Sequence, residues 1–322
     1  MNSIIQNKYF LNLKNTSHKN KQILFIIIFI ITGLVSHIFL NSYIQALIIT
    51  FLINAMLALS LNFITGVANQ FSLGQAGFMA VGAYTSAVLS KVFFQDIWFF
   101  IPLTVLAGAL IAALAGLLVS LPSFKLKGDY LAIVTLGFAE IVRVVFLNWN
   151  YVGGPRGYNA IIKWPEYYQS FLANGFFLWF TFIVFYNLKI SWFGRNLWAI
   201  NENEIAAEVM GTALAKNKRW AFLFSSFFAG LAGGLYSHHM GYISPSSFGF
   251  LMSVQILIFA VFGGLGSMSG SIVSAAILTA LPEVLRSLPT GSLDLRMIVF
   301  PILLILMMVL RPQGLFGRKE IF

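Results

Sequence analysis

Long apolar runs separated by short polar segments dominate the chain. A helix needs about 20 predominantly apolar residues to cross about 30 Å of hydrocarbon, and ten runs come close to that length. They cover residues 23–40, 43–65, 71–90, 98–121, 129–148, 171–189, 220–239, 249–265, 270–288 and 295–311. The runs are continuous rather than alternating, which is typical of helices and not of barrel strands. The pattern therefore predicts an all-α, polytopic transmembrane helical bundle of about ten spans.

Three of these runs are less regular than the others. The third begins with the polar, glycine-rich GVANQFSLGQAGF, and the eighth and ninth meet at GGLGSMSG. Each of them could re-enter the membrane instead of crossing it, which would invert every later loop.

The distribution of Lys and Arg favours ten crossings with both termini cytoplasmic. With ten crossings and a cytoplasmic N-terminus, 14 basic residues are cytoplasmic, 5 are outside and Arg143 lies within a span. If the third run only re-enters, the count becomes 9 inside against 10 outside. The cytoplasmic set is Lys8, Lys14, Lys19, Lys21, Lys125, Lys127, Lys189, Arg195, Lys216, Lys218, Arg219, Arg311, Arg318 and Lys319, and the outer set is Lys91, Arg156, Lys163, Arg286 and Arg296.

The resulting organisation has three parts. Residues 1–22 are polar and rich in Lys and Asn, and they predict a loose cytoplasmic tail. Residues 23–311 form the transmembrane domain, with a long cytoplasmic loop at about 191–219, and residues 312–322 form a cytoplasmic C-terminal tail.

Composition agrees with a membrane protein. Of the 322 residues, 59% are hydrophobic and 9% charged, whereas a soluble domain carries roughly 25% charged residues. The net charge of +10 is assigned to membrane orientation and anionic lipid headgroups, not to nucleic-acid binding. There is no cysteine, so disulfides and thiolate-bound metals are excluded. His238 and His239 are adjacent, so their side chains diverge on a helix and are not expected to bind one metal ion together. An interfacial position beside Tyr236 and Tyr242 is predicted for both histidines.

The loop at 191–219 predicts one short amphipathic helix. Glu202, Glu204 and Glu208 come first and are followed by Lys216, Lys218 and Arg219, an order that suits a helix dipole. Ile205, Val209 and Ala213 recur every four residues and form an apolar stripe. Such a helix could lie on the bilayer surface or insert into a groove of a cytosolic partner.

Two polar groups within the spans are candidates for the transport path. Glu140 and Arg143 are three residues apart on the fifth span, so they can pair on one helical face; the pair either ties helices together or lines the path. The cluster Asn69, Gln70, Ser72, Gly74 and Gln75 opens the third span. It predicts either an unwound stretch that meets a polar ligand or a plain helix cap.

The loop YVGGPRGYN carries a dense turn signal. It contains Gly153, Gly154, Pro155, Arg156 and Gly157, and turn chemistry alone accounts for that composition. An outer gate or a docking surface is the alternative. The chain has no G-x-x-x-x-G-K-[ST] motif, so it has no phosphate-binding loop of that type.

Four segments resemble the permease subunits of bacterial branched-chain amino acid ABC importers, of the LivM type. They are SLGQAGFMAVGAYT at 72–85, GDYLAIVTLGFAEIVRVVFLNWNYVGGPRGY at 128–158, ENEIAAEVMGTALAKNKRWAFLFSSFFAGLAGGLYSHHMGYISPSSFGFLMSVQILIFAVFGGLGSMSG at 202–270 and RPQGLFG at 311–317. With the sequence around these segments, the resemblance extends from about residue 45 to the C-terminus, and only the basic tail and the first span are unmatched in detail. The SLG element is shared more widely, including with urea permeases.

The resemblance implies an ATP-driven importer for branched-chain or other neutral amino acids in the bacterial inner membrane. It implies a second related permease subunit, two cytosolic ATPases that bind ATP and Mg²⁺, and a periplasmic binding protein, with no cofactor and no catalytic residue in this chain. Ala206, Ala207 and Gly211 match part of the coupling motif of such permeases, and Ile205 stands where its glutamate is usual, one residue after Glu204. The loop is therefore expected to be the coupling helix.

At two positions this sequence differs from the usual family pattern, and two alternative functions stay open. Gln75 stands where relatives usually have His, and Arg156 where the outer loop usually has Asn. An ABC permease for urea or short amides is the first alternative function. The second, less favoured one is an ion-coupled secondary carrier or channel that works without ATPases.

Overall fold

The computed structural model describes residues 40–94, 97–123, 128–159 and 161–286, together with residues 33, 302, 311, 313–317 and 320. The predicted N-terminal tail lies outside the described residues, and so do nearly all of the first and tenth spans and part of the C-terminal tail. Lys125 and Lys127, which enter the charge count, also lie outside them.

The described part of the chain is helical. It forms α1 Ser42–Asn62, α2 Gln75–Phe93, α3 Ile101–Ser123, α4 Asp129–Asn148, α5 Tyr167–Ile190, α6 Trp192–Glu202, α7 Glu204–Val209, α8 Leu214–Met240, α9 Phe250–Gly263 and α10 Met268–Arg286. Six helical segments are long and apolar enough to cross a membrane: α1 with the π-turn that follows it, α2, α3 with the short turn before it, α4, α5 and α8. Among the described residues, β pairing is limited to one bridge, between Tyr158 and Ile243.

The hydropathy pattern places the described helices well, although several of them begin at other residues than predicted. α5 begins at Tyr167, four residues before the predicted run. The third span begins at Gln75 and not at residue 71, because residues 68–74 are not helical. The loop at 191–219 contains two helices, α6 and α7, where one was expected, and α8 begins at Leu214, six residues before the predicted span. Three basic residues assigned to the loop, at 216, 218 and 219, therefore belong to the first turns of α8.

The centre of the bundle is a close contact of α8 with α2 and α3. A Cβ added to Gly82 would lie 2.0 Å from the carbonyl oxygen of Gly230, and one added to Gly233 would lie 2.0 Å from that of Met79. Small residues allow such backbone contact where no hydrophobic effect draws helices together in lipid. Ala112 also packs on Gly230.

Large apolar side chains cover the outside of the bundle. On α3, Leu110, Leu114 and Leu118 recur every four residues and are all exposed. On α4, Ile133 and Ile141 are exposed in the same way. Because water would make such surfaces unfavourable, they are the lipid-facing side of a polytopic membrane protein.

The loops divide between the two ends of the bundle. At one end, the loop residues 149–159 contact residues 241–248 through the bridge between Tyr158 and Ile243. The same loop is tied to the end of α2 by the hydrogen bond from the Lys91 Nζ to the Asn159 carbonyl, 3.2 Å. At the other end lie α6, α7 and the C-terminal residues 313–317 and 320, where the Leu315 N–H donates to the Phe262 carbonyl, 3.0 Å.

That second end also holds two interruptions in the helices. α1 passes into a π-turn, Phe63–Val67, and a non-helical stretch at 68–74 before α2 begins. The second interruption separates α9 from α10 at residues 264–267. We call these the first and second helix breaks. The two breaks are in direct backbone contact, because a Cβ added to Gly66 would lie 2.2 Å from the Gly266 nitrogen.

Asn62 joins the two breaks. Its fully buried amide Nδ2 donates to the Gly264 carbonyl at 3.0 Å, to the Ser267 carbonyl at 2.8 Å and to the Ser271 hydroxyl. Its Oδ1 accepts from the Gly266 N–H at 2.6 Å. A helix end leaves backbone groups without intrahelical partners, so one side chain of α1 pairs the groups that the second break exposes.

Replacing Asn62 by alanine should destabilise the protein by about 3 kcal/mol or more, because at least two buried backbone groups lose their partners at about 1–3 kcal/mol each. Asn62→Asp should also destabilise it, since the carboxylate keeps the shape and loses both donors. Unfolding in mild detergent, followed by near-UV circular dichroism, measures the change.

Asn54→Ala is the matched control on the same helix. Its amide makes one buried hydrogen bond, to the Thr279 hydroxyl at 3.0 Å, so its loss should cost about 1 kcal/mol. Equal effects of the alanine substitutions at positions 54 and 62 would contradict the role of Asn62 at the breaks.

Candidate functional site

The loop at 191–219, which we call the coupling loop after its expected role, contains two capped helices, α6 and α7. Ser191 caps α6, with its hydroxyl accepting from the Gly194 N–H at 3.3 Å. Asn203 is the single residue between α6 and α7, and its Oδ1 accepts from the Ala206 N–H at 3.1 Å. Ser and Asn are favoured at N-caps because their side-chain oxygens pair free N–H groups. Each helix therefore begins at its own cap.

The outer face of α7 is apolar and exposed. Ile205, Val209 and Met210 are 73%, 82% and 85% exposed, and Ala206 is exposed beside them. Ala207 points the other way and is buried. The predicted stripe is real for Ile205 and Val209, but Ala213 lies beyond the helix and does not extend it. A contiguous exposed apolar face at a polar loop is the usual mark of an interaction site.

Glu204 and Gly211 hold the two ends of α7. The Glu204 Oε1 lies 2.6 Å from the Lys218 Nζ, and this ion pair attaches α7 to α8. Gly211 has φ +85°, a left-handed conformation that ends the helix and disfavours other residues. A Cβ at Gly211 would meet nothing within 4 Å, so backbone conformation and not crowding explains the glycine.

A cleft lies next to this loop, between the adjoining ends of α5, α6 and α8. Its volume is about 560 Å³. The lining is mainly aromatic and apolar, with Trp192, Trp220 and Phe224, and it includes Met210 and Lys216. The cleft therefore extends the exposed face of α7 towards the spanning helices.

α6, which the sequence did not predict as a separate helix, contacts both breaks. The Asn201 Nδ2 donates to the Gly66 carbonyl at 3.2 Å. The ring of Trp198 lies against Gly266, 3.0 Å from where a Cβ would stand. The coupling loop and the helix breaks are thus one continuous site.

The polar cluster at 69–75 lies in the first break, as a non-helical stretch. Gln75 is buried, and its Nε2 donates to the Ser60 and Ser225 hydroxyls at 3.0 and 2.9 Å, which joins α1, α2 and α8. Gln70 is buried with its Oε1 unpaired, whereas Asn69 is exposed with φ +52°.

The remaining members of this cluster pack on α4 and shape the stretch. The Ser72 hydroxyl accepts from the Gly74 N–H at 3.3 Å. A Cβ on Gly74 would lie 2.9 Å from the Thr135 carbonyl. The Thr135 hydroxyl accepts from the Leu73 N–H at 3.0 Å. A side chain of α4 therefore pairs a backbone group that the first break exposes.

Glu140 and Arg143 form the predicted pair. The Arg143 Nε lies 2.6 Å from the Glu140 Oε2, and both side chains are about one third exposed. The pairing on one helical face is confirmed. Partial exposure of a charged pair on a spanning helix requires a polar neighbourhood or a partner chain on that side.

The outer-loop residues form two tight turns at the opposite end of the bundle. Gly153, Gly154 and Gly157 all have positive φ, and Pro155 and Arg156 are exposed. The Tyr242 hydroxyl donates to the Arg156 carbonyl at 3.3 Å. This loop therefore lies far from the coupling loop, at the other end of the bundle.

Glu320 is a site residue that the sequence did not reveal. Its carboxylate accepts from the Met268 N–H at 3.0 Å, from the Ser269 N–H at 3.0 Å and from the Ser269 hydroxyl at 2.8 Å. It also pairs with Lys189, whose Nζ donates to the Gly266 carbonyl at 2.6 Å. The C-terminal segment thereby caps α10 beside the second break. Its partners lie more than 50 residues away, so no local pattern marks it.

His238 is the second such residue. It is fully buried. Its Nδ1 lies 2.7 Å from the Ile162 carbonyl and its Nε2 lies 2.9 Å from the Ser86 hydroxyl. His238 lies in the last turn of α8, as an interfacial position requires, and these two contacts bury it against residue 162 and α2. Histidine within a long apolar run was the signal available in the sequence.

Comparison with known proteins covers this whole region. Residues 43–308 match the family model described as branched-chain amino acid transport system, permease component. The match includes the coupling loop, both breaks and the outer loop.

Individual relatives agree with the family match. The chain is 36% identical over 298 residues to the high-affinity branched-chain amino acid transport system permease protein LivM of Salmonella typhimurium, with 82% of this chain and 68% of the relative covered. It is 25% identical over 288 residues to the probable branched-chain amino acid transport permease protein LivH of Methanocaldococcus jannaschii, covering 81% and 87%. No solved structure shows a significant match to this chain.

The Glu320 carboxylate should protect the backbone amides at the N-terminus of α10 from hydrogen exchange. Burial raises its pKa, but the hydrogen bonds from Lys189, Ser269 and Met268 outweigh burial and hold the pKa below its ordinary value. A lowered pKa means that the contact stabilises the folded state above the ordinary glutamate range, and that this is lost as pH falls through the folded value.

Glu320→Gln should therefore speed amide exchange at Met268 and Ser269 about tenfold at neutral pH, since it weakens charge-assisted hydrogen bonds. Hydrogen exchange with mass spectrometry of the 264–270 segment measures this, after correction for the intrinsic pH dependence. Acidification below the ordinary glutamate range should remove the difference between parent and variant. Glu166→Gln, at an exposed position in the loop before α5, is the control, and an equal effect there would contradict the contact.

Proposed function

The chain belongs to the family of branched-chain amino acid transport permeases, and we propose that it carries branched-chain or other neutral amino acids across the bacterial inner membrane. It is a permease subunit of an ABC importer, a transport component and not itself an enzyme. The observation that carries the proposed substrate is the family match over residues 43–308.

The proposed topology has ten crossings with both termini cytoplasmic. In this proposal the six long apolar helical segments all cross, and the shorter apolar segments Phe250–Gly263 of α9 and Met268–Glu283 of α10 add two crossings. The apolar runs at 23–40 and 295–311 supply two more. The charge distribution supports this orientation. The position of Glu320 beside Lys189 supports it as well, because the C-terminal tail and the coupling loop must then share a side.

The proposed partners follow the family. A second related permease subunit forms the other half of the path, two cytosolic ATPases bind ATP and Mg²⁺, and a periplasmic binding protein delivers the substrate. For the ATPase contact we propose α7, with Glu204, Ile205, Ala206, Ala207 and Gly211. Its exposed apolar face supports this assignment, because an apolar face at a cytoplasmic loop suits insertion into a protein groove.

The proposed transport path passes the first break and α4. The unpaired oxygen of Gln70 and the exposed Asn69 offer polar groups to a zwitterionic substrate where the backbone is not helical. The Glu140–Arg143 pair, about one third exposed, supports a second polar position on α4. The loop with Gly153, Gly154, Pro155, Arg156 and Gly157 is proposed as the contact for the binding protein, because Pro155 and Arg156 are exposed at the outer end. ATP-driven closure of the partners then switches the spans between outward-open and inward-open states.

Val209→Asp should weaken the ATPase contact by at least about 100-fold, because it places an unpaired carboxylate in an apolar interface at roughly 3–5 kcal/mol. Co-purification of the ATPase subunits with the permease in mild detergent measures the loss. Val92→Asp is the matched control, on an exposed position at the outer end of α2, and it should retain the ATPases. Retention of the ATPases by the Val209 variant would refute α7 as the docking helix.

The substrate proposal is tested by uptake in a strain that lacks the chromosomal importer. The complete importer should restore uptake of labelled leucine and leave urea uptake at background. Restored urea uptake without leucine uptake would overturn the amino acid assignment and favour a permease for urea or short amides. Uptake by the chain alone in proteoliposomes, driven by an ion gradient, would overturn the ABC mechanism itself.

A further inference from the structure

α6 lies across both helix breaks at once. From its C-terminal half, Asn201 bonds to the Gly66 carbonyl in the first break, and Trp198 packs on Gly266 in the second. These two side chains are three residues apart, so they lie on the same face of the helix. One face of one short helix therefore contacts both interruptions of the spanning helices.

The contact of Asn201 satisfies a backbone group that the break itself creates. The π-turn ends at Val67, so the Gly66 carbonyl belongs to the last turn of a helix, where carbonyls lack an intrahelical donor. The Asn201 amide supplies one of the two donors that it has. Because this donor lies on α6, the backbone pairing of the first break depends on the position of α6.

The two breaks also depend on each other. Gly66 and Gly266 are in backbone contact, and Asn62 bonds to three backbone groups of the second break. A displacement of α6 that moves Gly66 must move Gly266, because protein interiors are close-packed and transmit strain.

The link from α6 to α7 is equally short. Asn203 is the single residue between them; its backbone N–H donates to the Ala199 carbonyl at 3.1 Å and its side chain caps α7. The last turn of α6 and the first turn of α7 thus share one residue that is bonded to both. A force on the exposed face of α7 therefore reaches Asn201 and Trp198 without passing through a flexible loop.

We propose that α6 is the element that transmits ATPase movement to the two helix breaks, with Asn201 and Trp198 as the positioning residues. This inference rests on the proposed function, because it assumes that a partner ATPase pushes on α7. Neither residue touches the substrate in this scheme. They act by holding the paired breaks in register with α7, so that the breaks change when α7 moves.

The first experiment tests the mechanical link in the full chain, without its partners. Because the chain contains no cysteine, spin labels at Glu208→Cys on α7 and Leu265→Cys in the second break report one distance. Both positions are exposed. In lipid nanodiscs, Asn201→Asp and Trp198→Ala should broaden the distance distribution about twofold, since the breaks lose their attachment to the loop.

Asn196→Asp is the matched control on the same helix. Asn196 lines the cleft and lies five residues from Asn201, and it receives the same substitution, which removes the amide donors and keeps the shape. The spin-label distance distribution of the Asn196→Asp variant should equal that of the parent protein. An unchanged distribution in Asn201→Asp, or equal broadening in the control, would overturn the positioning role.

The second experiment measures coupling in the complete importer in proteoliposomes, as leucine transported per ATP hydrolysed. Asn201→Asp should lower this ratio about fivefold to tenfold while ATP hydrolysis stays within about twofold of the parent. Asn201→Gln, which keeps the amide donor, should restore most of the ratio. A purely structural defect would lower transport and hydrolysis together and would not be rescued.

The two experiments separate failure of this inference from failure of the proposed function. A parent complex that neither hydrolyses ATP nor transports leucine would refute the proposed function, while the spin-label distances would still decide the positioning role. A normal ratio in Asn201→Asp, with normal transport in the parent, would refute the transmission role alone.

Discussion

The structure depends on pairing the backbone groups that become free where helices stop inside an apolar bundle. In lipid there is no water to replace a lost intrahelical bond, and each unpaired group costs several kcal/mol. Both breaks solve this with side chains from elsewhere in the chain: Thr135 and Asn201 serve the first, and Asn62 and Glu320 serve the second. Thr135, Asn201 and Asn62 each bring their own helix to a break and Glu320 brings the C-terminal segment, so the pairing fixes where these elements lie.

This constraint explains why the small residues and the polar residues lie at different places in the bundle. Glycines on α2, α3 and α8 bring backbones together along the length of the helices, with no polar group to pair. At the breaks, glycine serves a second purpose, because Gly66 leaves room for the Gly266 nitrogen and for the Asn62 amide. Close approach alone stabilises the middle of the bundle, whereas its end needs close approach and hydrogen bonds together.

Sequence alone predicted what depends on hydropathy, and it missed what depends on distant pairing. The ends of α4 agree with the predicted run because they coincide with the change from apolar to polar residues. The second helix in the loop was missed because Asn203 reads as one polar residue among several, and its capping role appears only with its bond to Ala206.

The site residues divide in the same way. Pairing of Glu140 with Arg143 followed from their spacing on one helix. Asn62 and Glu320 carried no local signal beyond a polar residue at the end of a span and an acid in a tail, and their partners lie far along the chain.

The position of the breaks also changes how the polar cluster at 69–75 is understood. A discontinuous helix in a transporter is often associated with a binding site near the middle of the membrane. Here the first break lies at the end of the bundle that holds α6 and α7, and Gln75 is fully engaged with two serines. In the proposed topology that end is cytoplasmic, so residues 69–75 lie where substrate would leave the path. The polar groups of residues 69–75 and the coupling loop then both take part in substrate release. Opening the cytoplasmic exit requires the two helix breaks to shift, and so does a movement of α6.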